Sequence, residues 1–301
     1  MKSLVEYIHT ILESGHAVSN VQPIPAYITP LIYKEIEDKV HAWKSSVKMV
    51  PLGSMGKKKD EDFNGDIDIA IDLDNREELM NMIKDVFPES ELNPYTTPKI
   101  VSIGYEWDKE GKNGIAQVDF MFTDNIDWAK WRFSSPDFKK GESKYKAAPK
   151  VYLIQHIVSS IPVKDAQNEY FDNGDVKKKW RYTFNQEGVF KYLANHVGKK
   201  GQYVSTAKQE FKELFSNDPM NVMRFIFDTN DIDPKIFNTV EGLWKAIHSN
   251  LWPWGKDVLE RTEKRFYMEY INDPKCEVPV DKEDFPCTYY KDDGSYGKVK
   301  D

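Results

Sequence analysis

The chain has 301 residues, 40% hydrophobic and 13% aromatic, enough for one large or two ordinary folded domains, which excludes a wholly disordered chain. Its net charge of −7, from 42 Lys and Arg against 49 Asp and Glu, excludes a surface that is basic all over but leaves room for a local basic groove. Two cysteines, Cys276 and Cys287, and six scattered histidines exclude a disulfide framework and give no zinc signature, so a reducing, cytoplasmic setting is the expectation.

The opening segment, "MKSLVEYIHTILESGHAV", sets Leu4, Ile8, Ile11 and Leu12 at helical spacing and carries Glu6 and His9 within the pattern. It reads as an amphipathic helix rather than a leader peptide. No apolar run approaches the roughly 20 residues needed to span a bilayer. After a Pro-containing link, Thr29-Pro30 is a helix start, and Ile32, Ile36, Val40 and Trp43 form the stripe of a second helix. "VKMVPLGS" reads as a short strand ending in a turn. In "DIDIAIDLD", Ile67, Ile69, Ile71 and Leu73 share one strand face, while Asp66, Asp68, Ala70, Asp72 and Asp74 share the other. Asn75 is placed to cap a helix that buries Leu79, Met82, Ile83 and Val86. "KIVSIGYEW" and "IAQVDFMF" then form strands joined across the turn-forming "DKEGKNG". This order predicts an α+β domain with a mixed sheet over residues 1–150.

From about Trp128 a polar, Lys-rich connector leads to "VYLIQHIVSSI", which opens a mainly helical domain expected over residues 151–272. Helices are expected near residues 207–215, 219–227, 236–247 and 258–270, and "VKKKWRYTFNQEGVFKYLA" reads as a strand before a helix. Residues 273–301 are polar, without periodicity, and expected to be mobile. No internal repeat is present.

Two chemistries compete for the charge gathered between Pro51 and Asp74. "DEDFNG" from Asp60 matches the opening of a calcium loop, but the twelfth position, which should be a bidentate Glu, is Ile71, and the segment runs into an alternating strand rather than a helix. The calcium loop is therefore set aside. Asp66 and Asp68 lie two apart on one strand, so both carboxylates leave the same face and can meet on hard divalent cations. A third carboxylate, Asp119, lies mid-strand between Val118 and Phe120, where an acid without a role would be costly. Gly53 lets backbone approach a phosphate, and Ser54 adds a hydroxyl beside an N–H donor. Asp72 and Asp74, farther along the strand, read as solvated.

Gly53-Ser54, then Asp66-Ile67-Asp68, then Asp119, spanning roughly residues 30–155, resemble the DNA polymerase β-like nucleotidyltransferase superfamily. That group includes poly(A) polymerases, CCA-adding enzymes, cyclic-oligonucleotide synthases, antibiotic nucleotidyltransferases and nucleotidyltransferase toxins. The resemblance implies that Gly53 and Ser54 bind a nucleoside triphosphate, and that Asp66, Asp68 and Asp119 hold two Mg²⁺ ions. It also implies that Asp119 helps deprotonate the incoming hydroxyl. By the same resemblance Ser143, Lys144 and Lys146 are candidates for the phosphates and Tyr145 for the base, where stacking is worth about 1–3 kcal/mol. A flexible basic linker is the competing reading of those four residues. The stretch "MGKKKDEDFNG" departs from the family pattern, where a short helical turn is common. Lys57, Lys58 and Lys59 within it read first as a solvated loop and second as a contact for nucleic-acid or triphosphate oxygens. His156, and aromatics such as Trp180, Tyr182, Phe184, Trp244, Trp252 and Trp254, read as packing residues.

The expected activity is transfer of a nucleotide from an NTP to an acceptor hydroxyl with release of pyrophosphate, the nucleotide lying between the two domains. An RNA, tRNA-like 3′ end is the first choice of acceptor. A protein, a small molecule or a second nucleotide is the alternative, as is a nucleotide- or RNA-binding module without chemistry.

Overall fold

The computed structural model describes residues 17–97, 99–164, 166–170, 176–195, 209–267 and 284–285. The expected N-terminal helix, both cysteines and nearly all of the 273–301 stretch lie outside them. The chain divides into two compact units, Met1–Lys146 and Ala147–Asp301.

In the first unit, β1 (Ile24–Pro25) leads into helix α1 (Thr29–Trp43), with Pro30 in the first turn, where its missing N–H is harmless. β2 (Met49–Pro51) and β3 (Phe63–Asn64) are short, and β3 pairs back on β1. β4 (Asp66–Ile71) runs into helix α2 (Arg76–Val86). Asn75 caps α2 by accepting from Glu78 N, and Glu78 returns a carboxylate to Asp74 N, so two end donors are satisfied reciprocally. β5 (Glu91–Thr97), β6 (Ile100–Lys109) and β7 (Lys112–Phe122) complete a five-stranded sheet of order β2-β4-β7-β6-β5. β4 and β7 are parallel, and every other neighbouring pair is antiparallel, which gives the mixed sheet.

The two faces of this sheet differ in kind. Ile67, Ile69 and Ile71 pack with Val118 and Phe120, Val101 and Ile103, under the apolar stripes of α1 and α2. Burying those three isoleucines is worth about 5–9 kcal/mol in all. A one-residue slip would forfeit this and bury aspartates instead, so the strand has one orientation. On the opposite face, successive rows change from apolar to polar. Val50, Ala70, Met121 and Ile100 form one row, covered by Ala129, Ile126 and Phe133. The cover comes from helix α3 (Ile126–Phe133), capped by Asn125, which the sequence reading passes over. The next row is Asp68, Asp119 and Ser102, and the one after it Asp66, Gln117 and Gly104.

The second unit adds a sheet to the helices expected there. Helix α4 (Ala147–Ser160) opens it, and four strands follow, β8 (Glu169–Tyr170), β9 (Val176–Phe184), β10 (Val189–Asn195) and β11 (Gln209–Ser216). They form an antiparallel sheet of order β11-β10-β9-β8. "VKKKWRYTFNQEGVFKYLA" is a hairpin rather than a strand and a helix, with Asn185 and Gly188 closing its turn through a 3.0 Å bond. Residues 209–215, inside an expected helix, belong to strand β11 because β10 pairs along it, with two register shifts, and Phe215 packs on Tyr182 and Phe225. Helix α5 (Pro219–Phe227) stands where expected. The expected 236–247 helix is broken: residues Pro234–Phe237 form a 3₁₀ turn, then Thr239 caps α6 (Val240–Ile247). Helix α7 (Lys256–Phe266) closes the described elements.

Tyr182, Phe184 and Trp244 are buried, in keeping with packing roles. Phe285, inside the stretch expected to be mobile, is fully buried, its ring 5.5 Å from that of Trp244. His156 is buried in α4, where burial and then Arg265 hold its imidazole down at about 4, so it is neutral at physiological pH. Among the described residues, no helix is long and apolar enough to cross a membrane.

Candidate metal centre

Asp66, Asp68 and Asp119 converge. Parallel pairing sets Asp68 directly beside Asp119, and Asp66 one row away on the same face. One oxygen from each of the three carboxylates lies within 4.8 Å of the others. All three side chains are half-buried. Burial, then the charges of Asp66 and Asp119, push the Asp68 carboxyl well above the usual carboxylate range. Burial and Asp119 raise Asp66 to about 6, against the pull of Lys146 and Lys58. Burial also raises Asp119, opposed by hydrogen bonds from Ser102 and Gln117. Three acids that resist ionising beside one another are a poor arrangement for stability alone and a good one for a cation.

Asp119 is held more firmly than its sequence context suggests. Gln117 Nε2 donates to both of its oxygens, at 3.0 and 3.2 Å, and Ser102 from β6 adds a side-chain hydrogen bond. Gln117 shares a face with Asp119 in the sequence pattern, but its contact with Asp119 does not follow from that pattern. Ser102 becomes visible only through the β6–β7 register, which sets it opposite Asp119.

Gly53 has φ +61°, and a Cβ there would sit 3.0 Å from Asp68 Oδ2. Its N–H donates to Phe133 O and its carbonyl accepts from Ser135 N, so the glycine backbone is pinned against the carboxylate. Gly53→Ala is therefore expected to cost about 1–2 kcal/mol in backbone strain and to displace Asp68. A thermal melt should show a lower Tm and a smaller gain on adding Mg²⁺ than wild type. Wild-type behaviour in both would mean that the close approach is unimportant.

The Ser54 hydroxyl donates to Asn64 Oδ1 at 3.1 Å, and buried Asn64 donates in turn to Thr29 Oγ1 at 2.8 Å. Asn64 is thus committed to tying the loop to the start of α1. Lys57 N donates to Ser54 O, so the stretch does begin with a turn. The expectation of a solvated lysine loop is corrected in part. Lys57 Nζ is half-buried and donates to Ser134 Oγ and Ser135 O, and Lys58 Nζ donates to Phe63 O, while Lys59 is exposed.

Of the connector residues, Lys146 is exposed and near enough to Asp66 to favour its charged form, whereas Lys144 is exposed with Nζ 5.3 Å from the Tyr145 ring centre. Tyr145 is 6% exposed, so its ring offers little open face for a base in this conformation. Ser143 Oγ accepts from Tyr145 N, a local turn. Asp72 and Asp74 are exposed.

The donor set consists of hard oxygen ligands carrying negative charge, which suits Mg²⁺ or Mn²⁺ rather than a thiophilic metal. Comparison with known protein-family models and with curated proteins gives no match.

Proposed function

We propose that the chain is a divalent-cation-dependent nucleotidyltransferase of the polymerase β-like kind. The observation that carries this reading is the convergence of Asp66, Asp68 and Asp119 on adjacent parallel strands, beside the Gly53 backbone. Asp66, Asp68 and Asp119 would hold the cations. When bound, such cations supply charge neutralisation at the reacting phosphate and a more acidic acceptor hydroxyl. The acceptor oxygen forms a bond to the α-phosphorus, the bond from that phosphorus to the bridging oxygen breaks, and pyrophosphate leaves with the electron pair. The hydroxyl proton would pass to Asp119, whose carboxylate faces the proposed cation site.

Gly53 lies against the Asp68 carboxylate with its own N–H held by Phe133 O, and the proposed triphosphate contact in this turn falls to the Ser54 backbone N–H. Lys58 and Lys146 bring positive charge towards Asp66, where phosphate oxygens would gather. The proposed acceptor is an RNA 3′ end. Exposed Lys146, whose charge reaches Asp66, supports a polyanionic partner there.

The test is transfer of label from each α-labelled NTP or dNTP in Mg²⁺, with tRNA, other RNA, DNA, protein extract or no acceptor. Label should move to RNA and be lost in Asp66→Asn. Label on protein or on a second nucleotide would keep the chemistry and replace the acceptor. Mg²⁺-dependent nucleotide binding with no transfer to anything would turn the reading to a binding module.

A further inference from the structure

Gln117 is 3% exposed, and both ends of its amide are engaged. Nε2 donates to both oxygens of Asp119, and Oε1 accepts from the backbone N–H of Ala17 at 3.0 Å, across 100 residues of sequence. Only one amide orientation is compatible with these neighbours. Turned over, Oε1 would face two carboxylate oxygens and the NH₂ group would face the Ala17 N–H, which leaves like facing like at both ends. Leaving such buried groups unmatched costs about 1–3 kcal/mol each. The Ala17 N–H therefore fixes the amide, and the amide fixes the carboxylate. Ser102, fully buried on the neighbouring strand, adds a further hold on Asp119, so the carboxylate has little freedom to swing away from Asp68.

We infer that Gln117 is a positioning residue that aims the Asp119 carboxylate at the cation site, and that the backbone at Ala17 sets this aim through it. The inference rests on reading Asp119 as a metal ligand. An amide suits the task because it donates to the carboxylate without adding charge, and because its other end can be anchored independently. Hydrogen-bond partners of metal-binding carboxylates typically contribute 10–100-fold to metal affinity when intact.

The experiment measures Mn²⁺ binding to the full chain by electron paramagnetic resonance, with no nucleotide present. Gln117→Leu removes the amide at similar size, Ala17→Pro removes the N–H donor and leaves both side chains in place, and the double variant combines them. Gln117→Leu should weaken Mn²⁺ binding about 10–100-fold while keeping a cooperative melt. Ala17→Pro should weaken it less, and the double variant no further than Gln117→Leu alone, since the two act in series. A residue with a merely structural role would lower Tm without moving Mn²⁺ affinity.

Wild-type affinity in Gln117→Leu or in Ala17→Pro, or simple additivity of the two losses, would overturn the inference. Should Gln117→Leu fail to melt cooperatively, Ala17→Pro alone decides. Wild-type protein that binds Mn²⁺ but transfers no nucleotide would sink the proposed activity and leave this inference standing. Wild-type protein that binds no Mn²⁺ would overturn both.

Discussion

Asp68→Asn is expected to make the metal-free protein more stable and the enzyme inactive. Asp68 stands between two other carboxylates, and its own charge is disfavoured first by burial and then by Asp66 and Asp119. An asparagine keeps the shape, takes one acid out of the crowded cluster and can donate its NH₂ to the two carboxyls that remain. At pH 7.5, without divalent cations, we expect a gain of about 0.5–2 kcal/mol, the usual yield of relieving a strained functional site. That corresponds to a Tm about 2–6 °C higher. The advantage should shrink towards pH 4.5, below the value of about 6 to which Asp66 is raised, as protonation relieves the repulsion in the wild type. Mg²⁺ should raise the wild-type Tm and leave the variant's almost unchanged. Nucleotide transfer should fall on the order of 10³-fold, about 4 kcal/mol of barrier. A variant that melts lower than wild type in the absence of cations would show that the repulsion inferred among the three acids is not what the fold bears.

The part of the site written into one strand is the part the sequence reveals. Asp66 and Asp68 are legible because Ile67, Ile69 and Ile71 fix the period, and Asp119 is legible because Val118 and Phe120 place it on a strand. The Asn75 cap is legible for the same local reason. What supports these residues is not local. Ser102 meets Asp119 only through strand register, and Lys57 is half-buried by Ser134 and Ser135, which lie 77 and 78 positions away. A lysine run carries no mark of such burial.

Fold errors have similar causes. β5 is easily missed because Pro94 argues against a strand. It lies at the sheet edge, where a missing N–H costs no ladder bond. Phe211, Leu214 and Phe215 sit at helical spacing, yet the ladder offered by β10 outweighs that weak local preference. Both cases concern a partner strand, which a linear pattern does not name.

The second large effect is the dependence of cation binding on pH. Asp66 titrates at about 6, above the ordinary Asp value of 3.8, and Asp68 is also raised. A raised carboxyl pKa means that the folded chain holds the proton more tightly than the unfolded chain. In the absence of cations its contribution to stability is therefore present at low pH. It is lost as pH climbs from about 4, near the unfolded value, through about 6 for Asp66. A cation must displace these protons to bind, so its affinity follows the opposite course. Below pH 6, each proton displaced weakens binding about tenfold per pH unit. Between pH 7.5 and 5.0 the Mn²⁺ dissociation constant should rise at least about 10-fold, and more where Asp68 also releases a proton. The Mg²⁺-induced gain in Tm should be largest near pH 7.5 and close to nil at pH 5.0. Titration calorimetry across that range checks both the slope and its midpoint. An affinity flat from pH 7.5 to 5.0 would mean that the carboxylates are already fully ionised, and that their crowding on one sheet face needs no cation to neutralise it.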